Sequence, residues 1–459
     1  MRAFKDEEIE EMINQMDDSD LENFLKNIFV PVYDEILVSG EGGRVTDNKG
    51  NTYIDCTSQA WSLNIGYTPP DIQAAVTSQM KRLLHVRYGF PTIPRIKATN
   101  KFVEIIEKSL GEKYRLAYNN MGGSASIEAC MRSAMVNKPG AQHFFTCFRG
   151  YHGSSLATMT ATFRMYPDIA RFRPWGLDRI THVPFPYCYR CPMGKEGREH
   201  CHLECLDLIA QTIEYGAVDK VAGFLLEPMQ GPGGHIPAPE GFLEGLRKVC
   251  DQNDIYLIYD ESQTFTRIGS WFAAEYYKVN PDFIAITKSL AGGLPMGAML
   301  ARDKADLKGF NAAEEHSTFS SNPLMFAGHI VYLSYVEKMN ILQNARELGE
   351  YITGGLQKLQ QKYEYMGDIR CPGLFIGVEL VEDRETKKPG NTLLTDTVEA
   401  AKEEGVIFGE SAPIASGRDD GILYRNVLKI KPPLIITKED CDLILKAFEK
   451  GLIEAIDYL

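Results

Sequence analysis

Lys288 stands at the end of an apolar run, Phe283-Ile-Ala-Ile-Thr287, and a glycine-rich turn, Gly292-Gly-Leu-Pro295, follows it. A β-branched run that ends on a lone amine is the pattern of a buried parallel strand presenting its functional group at its C-terminal end. Partial desolvation lowers the pKa of such an amine and makes it a nucleophile toward aldehydes. A lysine after a strand is often merely solvated, but two more runs end in the same way. Ile255-Tyr-Leu-Ile-Tyr-Asp260 ends on a carboxylate, and so does Val221-Ala-Gly-Phe-Leu-Leu-Glu227. Three successive strands that each deliver an ionisable group at one end predict an active site at the carboxyl edge of an open α/β sheet.

A second constellation lies upstream. Tyr114-Arg-Leu-Ala-Tyr118 has the character of a strand, Asn119-Asn-Met-Gly-Gly-Ser124 that of a turn, and Ile127, Cys130, Met131 and Ala134 mark one face of a helix. Strand, glycine turn and helix together aim free backbone N–H groups at an anion. Gly122 and Gly123 permit close approach, and Ser124 adds a hydroxyl. Neither the dinucleotide fingerprint nor the Walker lysine is present, so the site suits a single phosphate. Tyr151 follows the apolar run His143-Phe-Phe-Thr-Cys147 and could lie flat on a ring, or be an ordinary boundary aromatic. An aldehyde-reactive lysine, a carboxylate, a single-phosphate cradle and a stacking aromatic point to pyridoxal phosphate. The lysine would form a Schiff base with it. The carboxylate would keep the pyridine nitrogen protonated, making the ring an electron sink.

These residues need a scaffold to converge. From about residue 70 to 330 helix and strand patterns alternate, as βαβ units do in a mostly parallel sheet. Helical periodicity is clear from Gly241 to Asp254, where Phe242, Leu243, Leu246, Val249 and Cys250 share one face. Residues 6–30 suggest one or two amphipathic helices, and Arg44 to Asp55 a hairpin turning at Asn48-Lys49-Gly50. The expected division is an N-terminal segment, 1–70, belonging to the small domain; a large cofactor-binding domain, 71–330; and a C-terminal α+β domain, 331–459. That last part carries the strand Gly373-Leu-Phe-Ile-Gly-Val-Glu-Leu-Val381. A formal net charge of -13 argues against nucleic acid and anionic lipid as partners. No apolar run approaches the length of a membrane span. Ten cysteines without an export signal suggest reduced thiols and a cytoplasmic protein.

Over nearly the whole chain, from about Gly43 to the C-terminus, the sequence resembles the class III (subgroup II) aminotransferases of pyridoxal phosphate fold type I. Glu227-Pro-Met-Gln-Gly-Pro-Gly-Gly234 is similar to the family's E-P-x-x-G-x-G-G segment, and Asp260-Glu-Ser-Gln-Thr264 to its D-E-V-Q-T. Thr287-Lys288 with Gly292-Gly-Leu-Pro-Met-Gly297 resembles the cofactor lysine and its turn. His316-Ser-Thr-Phe-Ser-Ser-Asn-Pro323 resembles a loop that reaches the partner subunit's phosphate, and Asn426-Val-Leu-Lys-Ile-Lys-Pro-Pro-Leu434 a strand of the substrate domain. The resemblance implies that Lys288 is the Schiff-base lysine and the base for the proton shift. Asp260 would hold the pyridinium and Gln263 the ring hydroxyl. Tyr151 would stack on one ring face and Ser262 lie against the other. Gly123, Ser124 and Ala125 would bind phosphate, Glu227 would line the cofactor site, and Thr318 would bind phosphate across a homodimer interface. Trp61, in Trp61-Ser-Leu-Asn-Ile-Gly-Tyr67, would line the substrate pocket, unless it is a core residue.

The departures from the family pattern fall at both the cofactor end and the substrate end. Ser262 replaces a usual valine, Ala125 and Ile127 replace glutamate and asparagine, and Lys429 stands where many members place a carboxylate-gripping arginine. Lysine lacks the bidentate fork, so Arg425 and Arg418 are alternative partners for the substrate carboxylate. Cys188-x2-Cys191-x9-Cys201-x3-Cys205 has ligand-like spacing, but its middle gap is short for a zinc ribbon. Free thiols and no catalytic metal are expected. The leading function is transfer of an amino group between an amino acid or amine and a 2-oxo acid. The same residues would support an ammonia- or phospho-lyase, a decarboxylase or an epimerase. A zinc-stabilised interaction protein without catalysis is the alternative from another class, and an intact Lys288, Asp260 and Gln263 argue against it.

Overall fold

A computed structural model describes residues 4–28, 33–119, 121–163, 179–196, 200–305, 317–415 and 423–458. Its centre is a seven-stranded sheet in the spatial order Tyr114–Asn119, Gly297–Arg302, Phe283–Ile286, Tyr256–Asp260, Val221–Leu226, His143–Cys147 and Ile180–Val183. Gly297–Arg302 pairs antiparallel with both its neighbours, and the other described pairings are parallel. Every residue of Val221–Leu226, Phe283–Ile286 and His143–Cys147 is buried. Helices on both faces require this, and it explains continuous apolar runs in place of alternation. Fold type I, the class expected from sequence, is what this arrangement forms.

The hairpin expected near Asn48 is present, with Arg44–Asp47 antiparallel to Thr52–Asp55. It does not stand alone. Leu37–Glu41 pairs on one side and Val406–Ile407, from far along the chain, on the other. The expected strand from Gly373 begins later, at Ile376, and runs to Asp383. Gly373 itself turns the chain with φ +58°. Ile376–Asp383 sits in a sheet with Met366–Arg370 and Val427–Ile430. Glu379 anchors this sheet to the cysteine-bearing insertion. It takes Arg190 Nε at 2.5 Å and Arg370 Nη1 at 2.9 Å, and accepts from the Tyr187 hydroxyl.

Gly349 shows how closely a C-terminal helix packs on the turn at Gly373. It lies inside the helix Ile341–Lys362, where alanine is ordinarily the better residue by about 0.5–1 kcal/mol. A Cβ there would lie 2.1 Å from the Gly373 carbonyl oxygen, which is backbone and cannot swing away. The steric term therefore decides the sign. Gly349→Ala should destabilise the protein by about 1–3 kcal/mol, read as a lower thermal or urea midpoint. An unchanged or raised midpoint would contradict this packing.

Candidate active site

The register of three parallel strands brings the ionisable groups together. Tyr259 pairs with Leu226, so Asp260 and Glu227 leave their strands side by side. Asp260 pairs with Ala285, and Lys288 follows three residues later. Lys288 opens a tight turn with φ +56°, a strained conformation for a residue with a side chain. The residue is half-buried with its amine turned inward, and it has no ion pair among the described residues. Burial lowers its pKa, and the nearby Asp260 and Glu227 partly restore it. Desolvation wins, as a nucleophilic amine requires.

The two carboxylates are held differently. Burial by itself would raise the Asp260 pKa. The hydrogen bond and charge of His152, the Ser262 side chain and the Lys288 amine outweigh burial and hold the carboxyl low. His152 Nδ1 lies 3.0 Å from Asp260 Oδ2, and its Nε2 lies 3.0 Å from Thr146 Oγ1, which fixes the ring. Burial raises Glu227, and the neighbouring Asp260 raises it further. Glu227 accepts from the N–H groups of Tyr151 at 2.9 Å and Gly231 at 3.0 Å. His152 is a site residue that sequence reasoning missed; only its place beside Tyr151 after a strand end could have signalled it.

Gln263 and the glycine turn complete this end. Gln263 Oε1 is buried and has no hydrogen-bond partner. A Cβ at Gly231 would come within 1.6 Å of it, so glycine is what lets the amide lie there. Gly122, with φ +93°, leads into the helix Gly123–Asn137. At Gly123 a Cβ would lie 3.2 Å from Thr287 Cγ2 and 3.7 Å from Ser262 Oγ, so the helix N-terminus abuts the same strand ends. Ser124 Oγ accepts from the Ser154 N–H at 3.0 Å, and Ala125 is buried behind it.

The opposite wall is basic. Trp61 ends a turn in which Ser58, Gln59, Ala60 and Trp61 all have positive φ, between 44° and 68°. Ser58 Oγ donates to the Lys431 carbonyl at 2.6 Å, and the buried Arg267 guanidinium donates to Ser58, Asn64 and the Leu374 and Pro432 carbonyls. Around the indole stand three lysine amines: Lys431 Nζ at 3.3 Å from the ring centroid, Lys429 at 5.0 Å and Lys288 at 5.6 Å. Lys431 was not among the residues expected here, although lysines two apart on a strand share a face.

Other expected residues lie elsewhere. Arg425 is exposed, and its Nε stands 2.7 Å from Glu410 Oε2. Arg418 lies outside the described residues. Thr318 is exposed on a turn at 317–320, beside the exposed Phe319, and shows no contact with this cluster among the described residues. Cys188, Cys191, Cys201 and Cys205 line one small cavity, without disulfides. Among the described residues no group of three His, Cys, Asp or Glu is arranged to hold a metal.

An open α/β sheet with a buried amine, two carboxylates and a helix N-terminus at its carboxyl edge defines a fold type I pyridoxal-phosphate-dependent transferase. The aminotransferase class-III family matches residues 31–452, and the chain belongs to that family. A leucine/methionine racemase of Thermococcus litoralis is 32% identical over 423 residues, covering 91% of this chain and 90% of the racemase. An adenosylmethionine-8-amino-7-oxononanoate aminotransferase of Geobacter sulfurreducens is 31% identical over 442 residues, 91% of each chain. A solved structure of a Bacillus anthracis aminotransferase superposes with a TM-score of 0.83 at 27% identity, over 98% of this chain and all of that one. The cofactor of this class is pyridoxal 5'-phosphate. The residues present fit it: the orphaned Gln263 oxygen suits a ring hydroxyl, the ionised Asp260 a pyridinium, and the helix N-terminus a phosphate.

His152→Ala should free the Asp260 carboxyl to titrate higher, since one hydrogen bond that favours its ionised form is lost. The acidic limb of the pH–rate profile should move to higher pH, and kcat should fall about ten-fold, roughly 1.4 kcal/mol in barrier. An unmoved acidic limb would show that His152 does not set the Asp260 charge.

Proposed function

We propose that this enzyme carries an amino group between an amino acid or amine and a 2-oxo acid through Lys288, Asp260 and their neighbours. The observation that carries the reading is the half-buried Lys288 amine, without an ion pair among the described residues, in the field of the Asp260 and Glu227 carboxylates. Bound pyridoxal phosphate supplies an aldehyde that takes up the amino group and a pyridinium that withdraws electrons from the substrate carbon. Asp260 would hold the proton on that ring nitrogen, and His152 holds Asp260. Gln263 Oε1 would accept from the ring hydroxyl, Tyr151 and Ser262 would bracket the ring, and Glu227 fixes the Tyr151 and Gly231 backbone beside it. Gly123, Ser124 and Ala125 would hold the phosphate. Lys288 would hold the cofactor's aldehyde end, and its free amine would serve as the base that takes the proton from the substrate carbon and delivers it to the cofactor's carbon. Trp61 walls the substrate, and Lys429 attracts its carboxylate.

We further infer a cytoplasmic homodimer in which residues 71–330 form the cofactor domain, and 1–70 with 331–459 the smaller one. Pairing of Val406–Ile407 with the N-terminal hairpin supports that grouping. Thr318 would serve the phosphate of the second subunit, in keeping with its exposed turn. Epimerisation is the second reading, because a racemase is among the relatives. It would use the same lysine and return the proton to the carbon it left.

Lys288→Ala should abolish turnover and leave the fold intact, and borohydride should fix the cofactor to a Lys288 peptide in the wild type alone. Adding single amino acids and amines should convert the cofactor's aldehyde absorbance to that of the amine form, and a 2-oxo acid should reverse it. Inversion of an amino acid without any need for a 2-oxo acid would establish epimerisation instead. Thr318→Ala should weaken cofactor affinity about ten- to a hundred-fold, as for a lost hydrogen bond to a charged group. Mixed dimers of Lys288→Ala and Thr318→Ala chains should recover up to about half the wild-type activity per dimer at limiting cofactor, because both lesions fall in one site. Heterodimers that recover nothing would refute the shared site.

A further inference from the structure

Lys288 holds a left-handed conformation, φ +56°, which a residue with a side chain keeps only where its surroundings over-determine it. The residues that follow it show what does so. Ser289 and Leu290 are buried, and the helix Pro323–Lys338 reaches both. Gly328 lets the backbone of that helix come close: a Cβ there would lie 3.0 Å from the Ala291 carbonyl oxygen and 2.7 Å from Leu294 Cδ1. His329 Nδ1 lies 2.6 Å from the Leu290 carbonyl oxygen. Three residues on, the Tyr332 hydroxyl lies 2.6 Å from Thr266 Oγ1, and the Ser289 and Asn64 side chains bond it as well. His329 and Tyr332 share one helix face at that spacing. Two side chains of one helix thus take hold of the two residues after Lys288, one by its hydroxyl and the other by its carbonyl.

The His329 bond has a fixed sense. A carbonyl only accepts, so Nδ1 carries the proton. His329 is fully buried, with Phe102 edge-on at 5.1 Å and Tyr118 edge-on at 5.9 Å between ring centroids. Burial among these rings pushes its pKa down to about 4, so the imidazole is neutral at neutral pH. Nε2 is buried without a hydrogen-bond partner among the described residues. A leucine would fill much the same space without setting a bare nitrogen against aromatic rings, which is a cost the histidine carries. What the histidine adds is a donor aimed at the Lys288 turn. Within that turn Thr287 Oγ1 donates to the Met296 carbonyl at 2.9 Å, and the Gly292 N–H to the Ser289 carbonyl at 2.9 Å. The helix therefore acts on a unit that is already closed.

We propose that His329 and Tyr332 are positioning residues for Lys288, a clamp on Ser289 and Leu290 that keeps the Lys288 amine beside Asp260 and Glu227. Neither is among the groups that meet the cofactor in the reading above, and each acts through the residues next to Lys288. Released from the clamp, the strained turn would relax and the amine would shift toward water or toward a carboxylate. Either move favours a proton on that nitrogen, because burial is what lowers its pKa and Asp260 and Glu227 are what raise it. The inference deepens the amino-transfer reading and rests on it for the reaction, but its first readout does not need turnover.

In the holoenzyme, the pH midpoint of the cofactor's absorbance change reports protonation of the Lys288 nitrogen. His329→Leu, which fills the space and cannot donate, should raise that midpoint by up to about one pH unit, the worth of one hydrogen bond. Its kcat should fall about ten-fold or more with KM little changed, as for a reacting group moved off its geometry. His329→Asn, whose amide can place a donor near the Nδ1 position, should recover most of both. Tyr332→Phe should move the midpoint the same way by less, since the Leu290 carbonyl stays held. Asp260, Glu227, Lys429 and Lys431, the charged groups that act on this amine or feel it, are untouched in every variant. A lower thermal midpoint in His329→Leu with the pH midpoint and kcat unmoved, or no recovery in His329→Asn, would overturn the clamp. If His329→Leu does not accumulate as folded protein, an unmoved pH midpoint in Tyr332→Phe overturns it alone. A wild type that carries the cofactor on Lys288 but exchanges no amino group would sink the amino-transfer reading, and the midpoints would still decide the clamp. A wild type with no such absorbance would overturn both.

Discussion

Three ionisable groups drawn together at one sheet edge depend on one another and on His152 for the balance of their charge, and the rest of the site is arranged around that constraint. Asp260 and Glu227 are buried and Lys288 is half-buried, so each group's charge depends on its neighbours. His152 and the Ser262 side chain favour a charged Asp260, which in turn makes a charged Glu227 harder to hold. The two carboxylates are therefore pushed apart in acidity although they leave adjacent strands at one level. Separation of this kind assigns tasks: Asp260 keeps a fixed negative charge, and Glu227 is freer to act as a backbone anchor. Thr146, on the neighbouring strand, belongs to the same arrangement because it fixes the ring of His152.

The basic wall depends on contacts of very different sequence separation. Arg267 follows the Asp260 segment and donates to the Ser58 turn, to Asn64 and to the backbone at Leu374 and Pro432. One guanidinium thereby ties the N-terminal segment, the large sheet and the C-terminal sheet around Trp61. Its own pKa is pulled down to about 9 by burial. The left-handed turn at Ser58–Trp61 carries strain that such a clamp offsets. Neither part would hold its shape without the other, so the position of the indole relative to Lys288 is a property of the whole tertiary fold.

That difference explains what could be read from sequence. Lys288, Asp260 and Glu227 were legible because a buried parallel strand writes itself as an uninterrupted apolar run, and the residue that breaks the run is the one at the sheet edge. The glycine turn that leads into the helix Gly123–Asn137 was legible for a similar local reason. Gly297–Arg302 was not recognised as a strand: it follows the glycine turn closely, and its antiparallel pairing breaks the strand–helix alternation used to find the others. Ile180–Val183 was missed because a four-residue edge strand carries little apolar pattern. His152 and Lys431 are polar residues whose role comes from a partner about a hundred or several hundred positions away. No local period encodes such a partner. Arg425 illustrates the reverse error, since nearness in sequence to Lys429 did not carry it to the same face.

The site gathers charges of both signs, the Asp260 and Glu227 carboxylates at the strand ends and the Lys288 and Lys429 amines beside Trp61. An amino acid carries its own two charges a short distance apart, positive at nitrogen and negative at its acid group. In such a field only one orientation pairs both ends favourably, because reversing the molecule would set like charges together at each wall. Under the proposed function the nitrogen would be directed toward Lys288 and the acid group toward Lys429 before any bond is made. Orientation obtained this way would come from groups that the fold already holds in place, leaving little further ordering for the moment of reaction. Specificity and rate would then have a common source in the charges the fold gathers into one small space.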